Sequence, residues 1–227
     1  MPNRRSRIAL LSAGIAFALI APVASYAQLN LQQFGIGGGN SSGNAGAAAS
    51  SGGIGQLLQT YVGANQQVLS GQSSLASAMG LSGAASQAQQ ASGLLSGGTP
   101  SVSQLSQVGS TQQSLSQTLT QAFTSRASDP STPVDKQAFT NGLASLGQGV
   151  SQYSSLQSSL GSVGQMNPSS LLQAGMNPQT AQAASYIAQS APGQLQSLAS
   201  TLSAAVQFAS SHGISVPSIA TSALKGF

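Results

Sequence analysis

Groups that can carry acid–base, nucleophilic or metal chemistry are scarce in this chain of 227 residues. It contains no Cys, one His and two acidic residues, both Asp. The histidine, His212, ends an apolar stripe and precedes Gly213, which is typical of a helix C-terminus rather than of a general base. Asp129 lies in an Asp-Pro turn dipeptide, and Asp135 lies near a predicted helix start. We therefore expect no catalytic residue, no metal site and no cofactor, and predict that the protein is not an enzyme.

Serine is abundant, with 43 residues, but its abundance does not indicate a nucleophile. The chain has no G-x-S-x-G motif, which would present a nucleophilic serine on a tight turn. A hydrolase that uses His212 is therefore kept only as a remote alternative.

Uncharged polar side chains interrupt the apolar stripes of the long predicted helices: Asn65, Gln72, Gln112 and Gln157. A buried amide without a partner costs about 1–3 kcal/mol, so these groups need partners if they face the interior. One interpretation is a polar pocket for a small neutral ligand, and the other is that the amides set helix register or lie at the solvent edge of each stripe. The candidate ligand-binding residues are Tyr61, Asn65, Gln112, Tyr153 and Gln157.

The positions of these residues follow from helical periodicity. In the first stripe the spacing alternates between four and three residues, as one helix face requires, over Ile54, Leu58, Tyr61, Asn65, Val68, Gln72, Leu75 and Met79. Gly80 is predicted to end this helix. The next stripe comprises Val102, Leu105, Val108, Gln112, Leu115, Leu119, Ala122 and Phe123, and the third comprises Phe139, Leu143, Leu146, Val150, Tyr153, Gln157 and Leu160.

Capping patterns predict where the other helices begin. A short Ala-rich helix is expected over 82–95, and Thr99-Pro100 and Thr132-Pro133 are predicted starts of the next two helices. Met-Asn-Pro occurs twice, at 166–168 and 176–178, and each copy predicts an Asn cap with Pro at the first helical position. The second copy is expected to open a helix over 178–191. A separate last helix is predicted from Leu195 to His212, with one further turn around 220–224.

No segment alternates apolar and polar residues as a half-buried strand does, so the sequence predicts an all-α protein. Long helices of similar length joined by short turns favour an antiparallel bundle, completed by shorter C-terminal helices. The bundle domain is expected to span 54–213, with a C-terminal tail over 214–227. Four glycines are expected to allow close helix approach: Gly63, Gly71, Gly142 and Gly147.

The N-terminus has the pattern of a secretory signal peptide. Arg4, Arg5 and Arg7 precede an apolar run over 8–23, and Ser25 and Ala27 supply a small-x-small cleavage site. The apolar run is shorter than the ~20 residues of a membrane span, so no permanent membrane span is expected after processing at Ala27. Residues 1–27 are predicted to be removed, which places the protein in the periplasm or outside the cell, including the cell surface.

The segment that follows, 28–53, is rich in Gly, Ser and Asn and is predicted to be a flexible arm. Beyond the signal peptide the charged residues are Arg126, Lys136 and Lys225 against Asp129 and Asp135, a net charge of +1. Three cations cannot build a phosphate-binding surface, so nucleic acid is not an expected partner. With so few titratable groups, stability is expected to vary little with pH, as suits an acid-tolerant protein.

These features together predict an exported, non-enzymatic helical bundle with a binding or structural role. It is expected to hold a small neutral ligand or a protein partner. The alternative is a secreted, self-assembling matrix or cell-surface structural protein, since low net charge favours association.

Overall fold

The computed structural model describes residues 45–127, 133–163, 172 and 177–226, all within the second of two units, residues 42–227. It contains helices α1 (Ala45–Ala78), α2 (Ser82–Gly93), α3 (Val102–Ala127), α4 (Lys136–Val163), α5 (Pro178–Ser211) and α6 (Ser218–Leu224). No strand occurs in these ranges, so the all-α prediction is confirmed. The predicted signal peptide, most of the predicted arm, the turn at Asp129 and the first Met-Asn-Pro lie outside the described residues.

Helix α1 follows its predicted stripe, because all eight stripe residues are buried. It stops where expected: Gly80 has φ 70, and the Leu81 amide donates to the Ala76 carbonyl at 2.8 Å, which closes the helix end. The start differs from the prediction. The helix begins at Ala45, inside the segment 28–53 that was predicted to be the flexible arm, so the predicted end of the arm at residue 53 is too late. The reason is that this stretch is rich in Ala, which is the best helix former.

Two helix starts were predicted a few residues too early. Helix α3 is capped by Ser101, whose hydroxyl accepts from the Gln104 amide while the Gln104 side chain accepts from the Ser101 amide at 2.8 Å. This reciprocal capping box, rather than Thr99, begins the helix. At α4 the cap is Asp135, whose carboxylate accepts from the Ala138 amide at 3.0 Å. A carboxylate at a helix N-terminus satisfies a free amide and also favours the dipole.

Helix α5 begins as predicted, because the Asn177 side chain accepts from the Gln179 amide at 3.0 Å and Pro178 is the first helical residue. The predicted break between two helices is wrong. The helix continues through Pro192, whose side chain is exposed. A proline inside a helix costs ~3 kcal/mol or more. The apolar face is buried both before and after it, at Ile187, Ala191, Leu195 and Leu198, and this burial outweighs the local cost.

The C-terminal residues pack against the bundle instead of extending as a separate tail. His212 is the C-cap of α5 and Gly213 has φ 62, so the predicted stop is confirmed. Ile214 is buried, and the predicted turn around 220–224 is helix α6. A Cβ on Gly147 would lie 2.7 Å from the Ala220 Cα atom, so α6 lies directly on the backbone of α4.

The contacts define the directions of the long helices. Gly71 of α1 faces Leu146 of α4, whereas Gly142 faces Leu75, so these two helices are antiparallel as predicted. Helix α3 instead runs parallel to α1, because Asn65 contacts Gln112 while Gln72 contacts Ser116. The antiparallel prediction fails for this pair because α2 leads the chain back along α1 before α3 begins.

Glycines allow the backbones of α1 and α4 to approach each other closely. A Cβ on Gly71 would lie 2.6 Å from the Leu146 backbone nitrogen, and one on Gly149 would lie 3.0 Å from the Val68 backbone nitrogen. The predicted role of Gly71, Gly142 and Gly147 is therefore confirmed. Gly63 does not share it, because a Cβ there would meet nothing within 4 Å.

Candidate functional site

Four of the five predicted site residues lie together in the bundle interior. Tyr61, Asn65, Gln112 and Tyr153 are buried, and the rings of the two tyrosines meet edge to face with centroids 5.6 Å apart. Gln157 does not join them, because its side chain is exposed. It lines a separate groove of about 870 Å³ between α4, α5 and α6, with Pro192 and Leu224. Of the two interpretations of the polar interruptions, Gln157 therefore fits the one that places it at the solvent edge of its stripe.

The buried amides form a chain of hydrogen bonds from α1 to α3. The Asn65 Nδ2 atom donates to the Tyr61 carbonyl at 2.7 Å, and the Gln112 Nε2 atom donates to the Asn65 Oδ1 atom at 2.8 Å. Gln72 donates through Nε2 to the Gln112 carbonyl and to the Ser116 hydroxyl, at 3.2 and 3.0 Å. Each amide nitrogen is thus satisfied inside the bundle. The chain also fixes the relative register of α1 and α3.

The two tyrosines converge on one residue of α5. The hydroxyls of Tyr61 and Tyr153 donate to the Gln194 Oε1 atom at 2.8 and 2.9 Å. Burial raises the pKa of Tyr61, although its hydrogen bond to Gln194 acts in the opposite direction. Burial also raises the pKa of Tyr153, well above its ordinary value, and repulsion from Tyr61 adds to the effect. Both hydroxyls therefore keep their protons at neutral pH and act as donors.

Three buried polar atoms of this region have no hydrogen-bond partner: Gln72 Oε1, Gln112 Oε1 and Ser190 Oγ. Gln112 and Ser190 line a groove of about 480 Å³ between α3 and α5, which we call the α3–α5 groove. Its wall carries hydroxyl and amide groups and no charged side chain: Ser106, Gly109, Ser110, Gln112, Gln113, Ser116, Tyr186, Gln189, Ser190, Gly193, Gln194, Ser197 and Leu198. An unpaired buried acceptor costs about 1–3 kcal/mol, and a ligand in the groove can recover that cost.

Gln194 is the site residue that the sequence analysis missed. The signal was present: in a continuous α5, one face runs through Ile187, Ala191, Gln194, Leu198, Thr201 and Ala205, with polar interruptions at Gln194 and Thr201. The predicted helix break at Pro192 divided this stripe. Gln194 was therefore not recognised as equivalent to Asn65 and Gln112.

His212 lies far along α5 from this region, at the helix C-terminus. Its ring stacks on Phe208 with centroids 3.9 Å apart, and its Nδ1 atom lies 2.9 Å from the Phe208 carbonyl. The Ser211 hydroxyl lies 3.0 Å from Nδ1, and it also donates to the Phe208 carbonyl at 2.9 Å. All of these contacts belong to the end of the helix, in agreement with the predicted position of the residue.

The described part of the chain holds neither a metal-binding cluster nor a membrane-spanning helix. In those residues no group of three or more His, Cys, Asp or Glu side chains is placed to hold a metal ion. None of the described helices is both long enough and apolar enough to cross a membrane. The α3–α5 groove is therefore the site with the clearest chemical character among the described residues.

Comparison with known proteins does not assign the chain to a family. No family model matches the sequence, and neither a curated protein nor a solved structure is significantly similar to it. The site must therefore be interpreted from its own chemistry.

Proposed function

We propose that this protein is an exported, non-enzymatic binding protein that holds a small neutral ligand in the α3–α5 groove. The observation that carries the proposal is Gln112, which lines the groove and whose buried Oε1 atom has no hydrogen-bond partner. The groove volume of about 480 Å³ lies in the range of small-molecule sites, about 300–1,000 Å³. A charged ligand would find no opposite charge on the groove wall, so a neutral ligand fits best.

Glycine 193 provides a direct test of the groove. A Cβ at Gly193 would meet nothing within 4 Å, and the residue lines the groove, so Gly193→Leu fills the groove without a backbone clash. Gly63→Leu is the matched control, because Gly63 has the same open surroundings but lies outside the groove. Both changes also remove a helical glycine and so favour the helix by up to ~1 kcal/mol.

The measurement is native mass spectrometry of each protein purified from its host, followed by extraction of any bound small molecule. We expect unmodified protein and Gly63→Leu to carry the same neutral ligand, and Gly193→Leu to have lost it. A ligand that stays bound to Gly193→Leu, or unmodified protein that carries none, would overturn the proposal.

Export is the part of the proposal that depends on the N-terminal sequence pattern. The intact mass of the same purified protein tests it, because processing after Ala27 leaves a chain that begins at Gln28. A purified protein that retains Arg4, Arg5 and Arg7 would contradict export by a cleaved signal peptide.

Self-association as a matrix or surface protein is the second candidate. It is favoured by the low net charge of the predicted mature chain, +1 from Arg126, Lys136 and Lys225 against Asp129 and Asp135. Light scattering during size exclusion is the relevant measurement, since a strictly monomeric and highly soluble product contradicts an assembling role.

A further inference from the structure

The hydrogen-bond chain determines which atom of the Gln112 amide is left without a partner. The Tyr61 carbonyl can only accept, so Asn65 must give it Nδ2 and keep Oδ1 as an acceptor. Gln112 must then direct Nε2 to Asn65, which leaves Gln112 Oε1 without a partner. Gln112 is 2% exposed and lines the groove, so its oxygen is an acceptor of fixed orientation.

The second amide of the groove, Gln194, is the reverse of Gln112, because its oxygen makes the hydrogen bonds and its nitrogen does not. Gln194 Oε1 accepts from both tyrosine hydroxyls, so its Nε2 atom is directed away from them. That nitrogen lies 2.6 Å from the place where a Cβ on Gly109 would be, so it rests on the bare backbone of α3. It makes none of the hydrogen bonds among the described residues. Two amide groups of the groove wall thus have an atom without a partner: the oxygen of Gln112, which is buried, and the nitrogen of Gln194.

The rest of the groove wall is made of groups that both donate and accept. Besides Ser190, this wall has four serines and two further glutamines: Ser106, Ser110, Ser116, Ser197, Gln113 and Gln189. The Ser190 hydroxyl is buried and unpaired, and hydroxyls can donate or accept. The Tyr186 hydroxyl is already engaged with the Leu105 carbonyl at 3.3 Å, so this residue offers mainly its ring.

On the basis of the proposed function, we infer that the ligand is a neutral saccharide. The inference rests on two amide atoms without a partner, Gln112 Oε1 and Gln194 Nε2, within a wall of hydroxyl and amide groups. A sugar hydroxyl donates one hydrogen bond and accepts others, so neighbouring hydroxyls can satisfy both amides and Ser190. A peptide would also bring side chains that need apolar pockets, and Leu198 supplies the one aliphatic side chain of this wall.

The decisive variant is Gln194→Glu. The carboxylate keeps an acceptor for both tyrosine hydroxyls but removes the unpartnered nitrogen donor of Gln194. Gln182→Glu is the matched control, because it adds the same charge to an exposed position of α5 outside the groove. Ser190→Ala serves as a milder second variant, with Ser210→Ala, an exposed serine of the same helix, as its control.

The experiment is calorimetric titration of the full chain with a panel of neutral mono- and disaccharides, and in parallel with N-acetyl amino-acid amides. We expect saccharide binding that weakens about tenfold or more in Gln194→Glu and about three- to tenfold in Ser190→Ala. The controls Gln182→Glu and Ser210→Ala should bind as the unmodified protein does. Circular dichroism confirms that each variant is folded.

Three results overturn the saccharide inference: no saccharide binds, the amides bind instead, or saccharide binding is unchanged in both groove variants. The proposed function is judged separately, by whether Gly193→Leu loses the ligand that copurifies from the host. A non-saccharide ligand lost from that variant would overturn the saccharide inference and leave the proposed function intact.

Discussion

Two helix contacts of the bundle use glycine in different ways. Between α1 and α4, the missing side chain of Gly71 lets the backbone of Leu146 approach, and a Cβ would lie 2.6 Å from its nitrogen. Between α3 and α5, the missing side chain of Gly109 makes room for the Gln194 amide at the same 2.6 Å. The first contact is backbone against backbone, and the second holds a polar side chain beside an open groove. A glycine in a helix face therefore identifies a close approach but not the kind of neighbour.

Enlarging a glycine of the α1–α4 contact is expected to have the largest effect on stability. In Gly71→Ala the new methyl group overlaps the Leu146 backbone, which cannot rotate away, so we expect a loss of about 3 kcal/mol in the free energy of unfolding. Gly63→Ala should instead stabilise by about 0.5–1 kcal/mol, because it relieves a helical glycine in open space. Urea unfolding followed by circular dichroism measures both. Equal effects of the two changes would mean that the α1–α4 contact is looser than described.

Breaking the amide chain beside the groove is expected to have a smaller effect. Asn65→Ala removes the acceptor of Gln112 Nε2 and leaves that donor buried, for a loss of about 2 kcal/mol. Gln157→Ala, at an exposed position, should change stability by less than about 0.5 kcal/mol. Thermal or urea melts compare the two variants. If Gln157→Ala destabilised as much as Asn65→Ala, the distinction between the interior amides and the edge amide would be wrong.

The tyrosines should make stability depend on pH only at the alkaline end. Burial raises the pKa of Tyr61 and Tyr153 in the folded state, so the unfolded chain loses these protons first. Their contribution is complete below the unfolded tyrosine pKa of about 10 and is lost as the pH rises above it. We expect a nearly constant melting temperature from pH 4 to 9 and a fall above about pH 10.

The double variant Tyr61→Phe with Tyr153→Phe tests the origin of that fall. Its melting temperature should fall less between about pH 8 and about pH 11 than that of the unmodified protein. A drop of more than a few degrees between pH 7 and pH 4 in the unmodified protein would contradict the expected acid tolerance.

Periodicity predicted most of the fold, because a long stripe averages over many residues. The stripe from Ile54 to Met79 is buried at every position, and the amides Asn65 and Gln112 face inward as one interpretation required. Periodicity alone could not place Gln157. Near the end of a stripe, whether a residue is covered depends on where the neighbouring helices lie, and a single sequence does not contain that information.

The remaining differences come from local signals that compete with packing. Pro192 is a strong helix breaker in isolation, but the buried face on both sides of it keeps α5 continuous. Thr99 and Thr132 resemble caps, yet Ser101 and Asp135 make the observed capping bonds. The donor and acceptor orientation of the groove was beyond the reach of the sequence, because it depends on which atoms of Tyr61 and Asn65 meet across the bundle.

Helix α6 also determines when the bundle can be completed. Its Ala220 covers Gly147 of α4, and Gly147 is synthesised well before Ala220. Folding generally proceeds with the N-terminal part of a chain first, but here one face of α4 stays uncovered until the last described helix is available. A chain that stays unfolded until its C-terminal residues are available avoids that partly closed state.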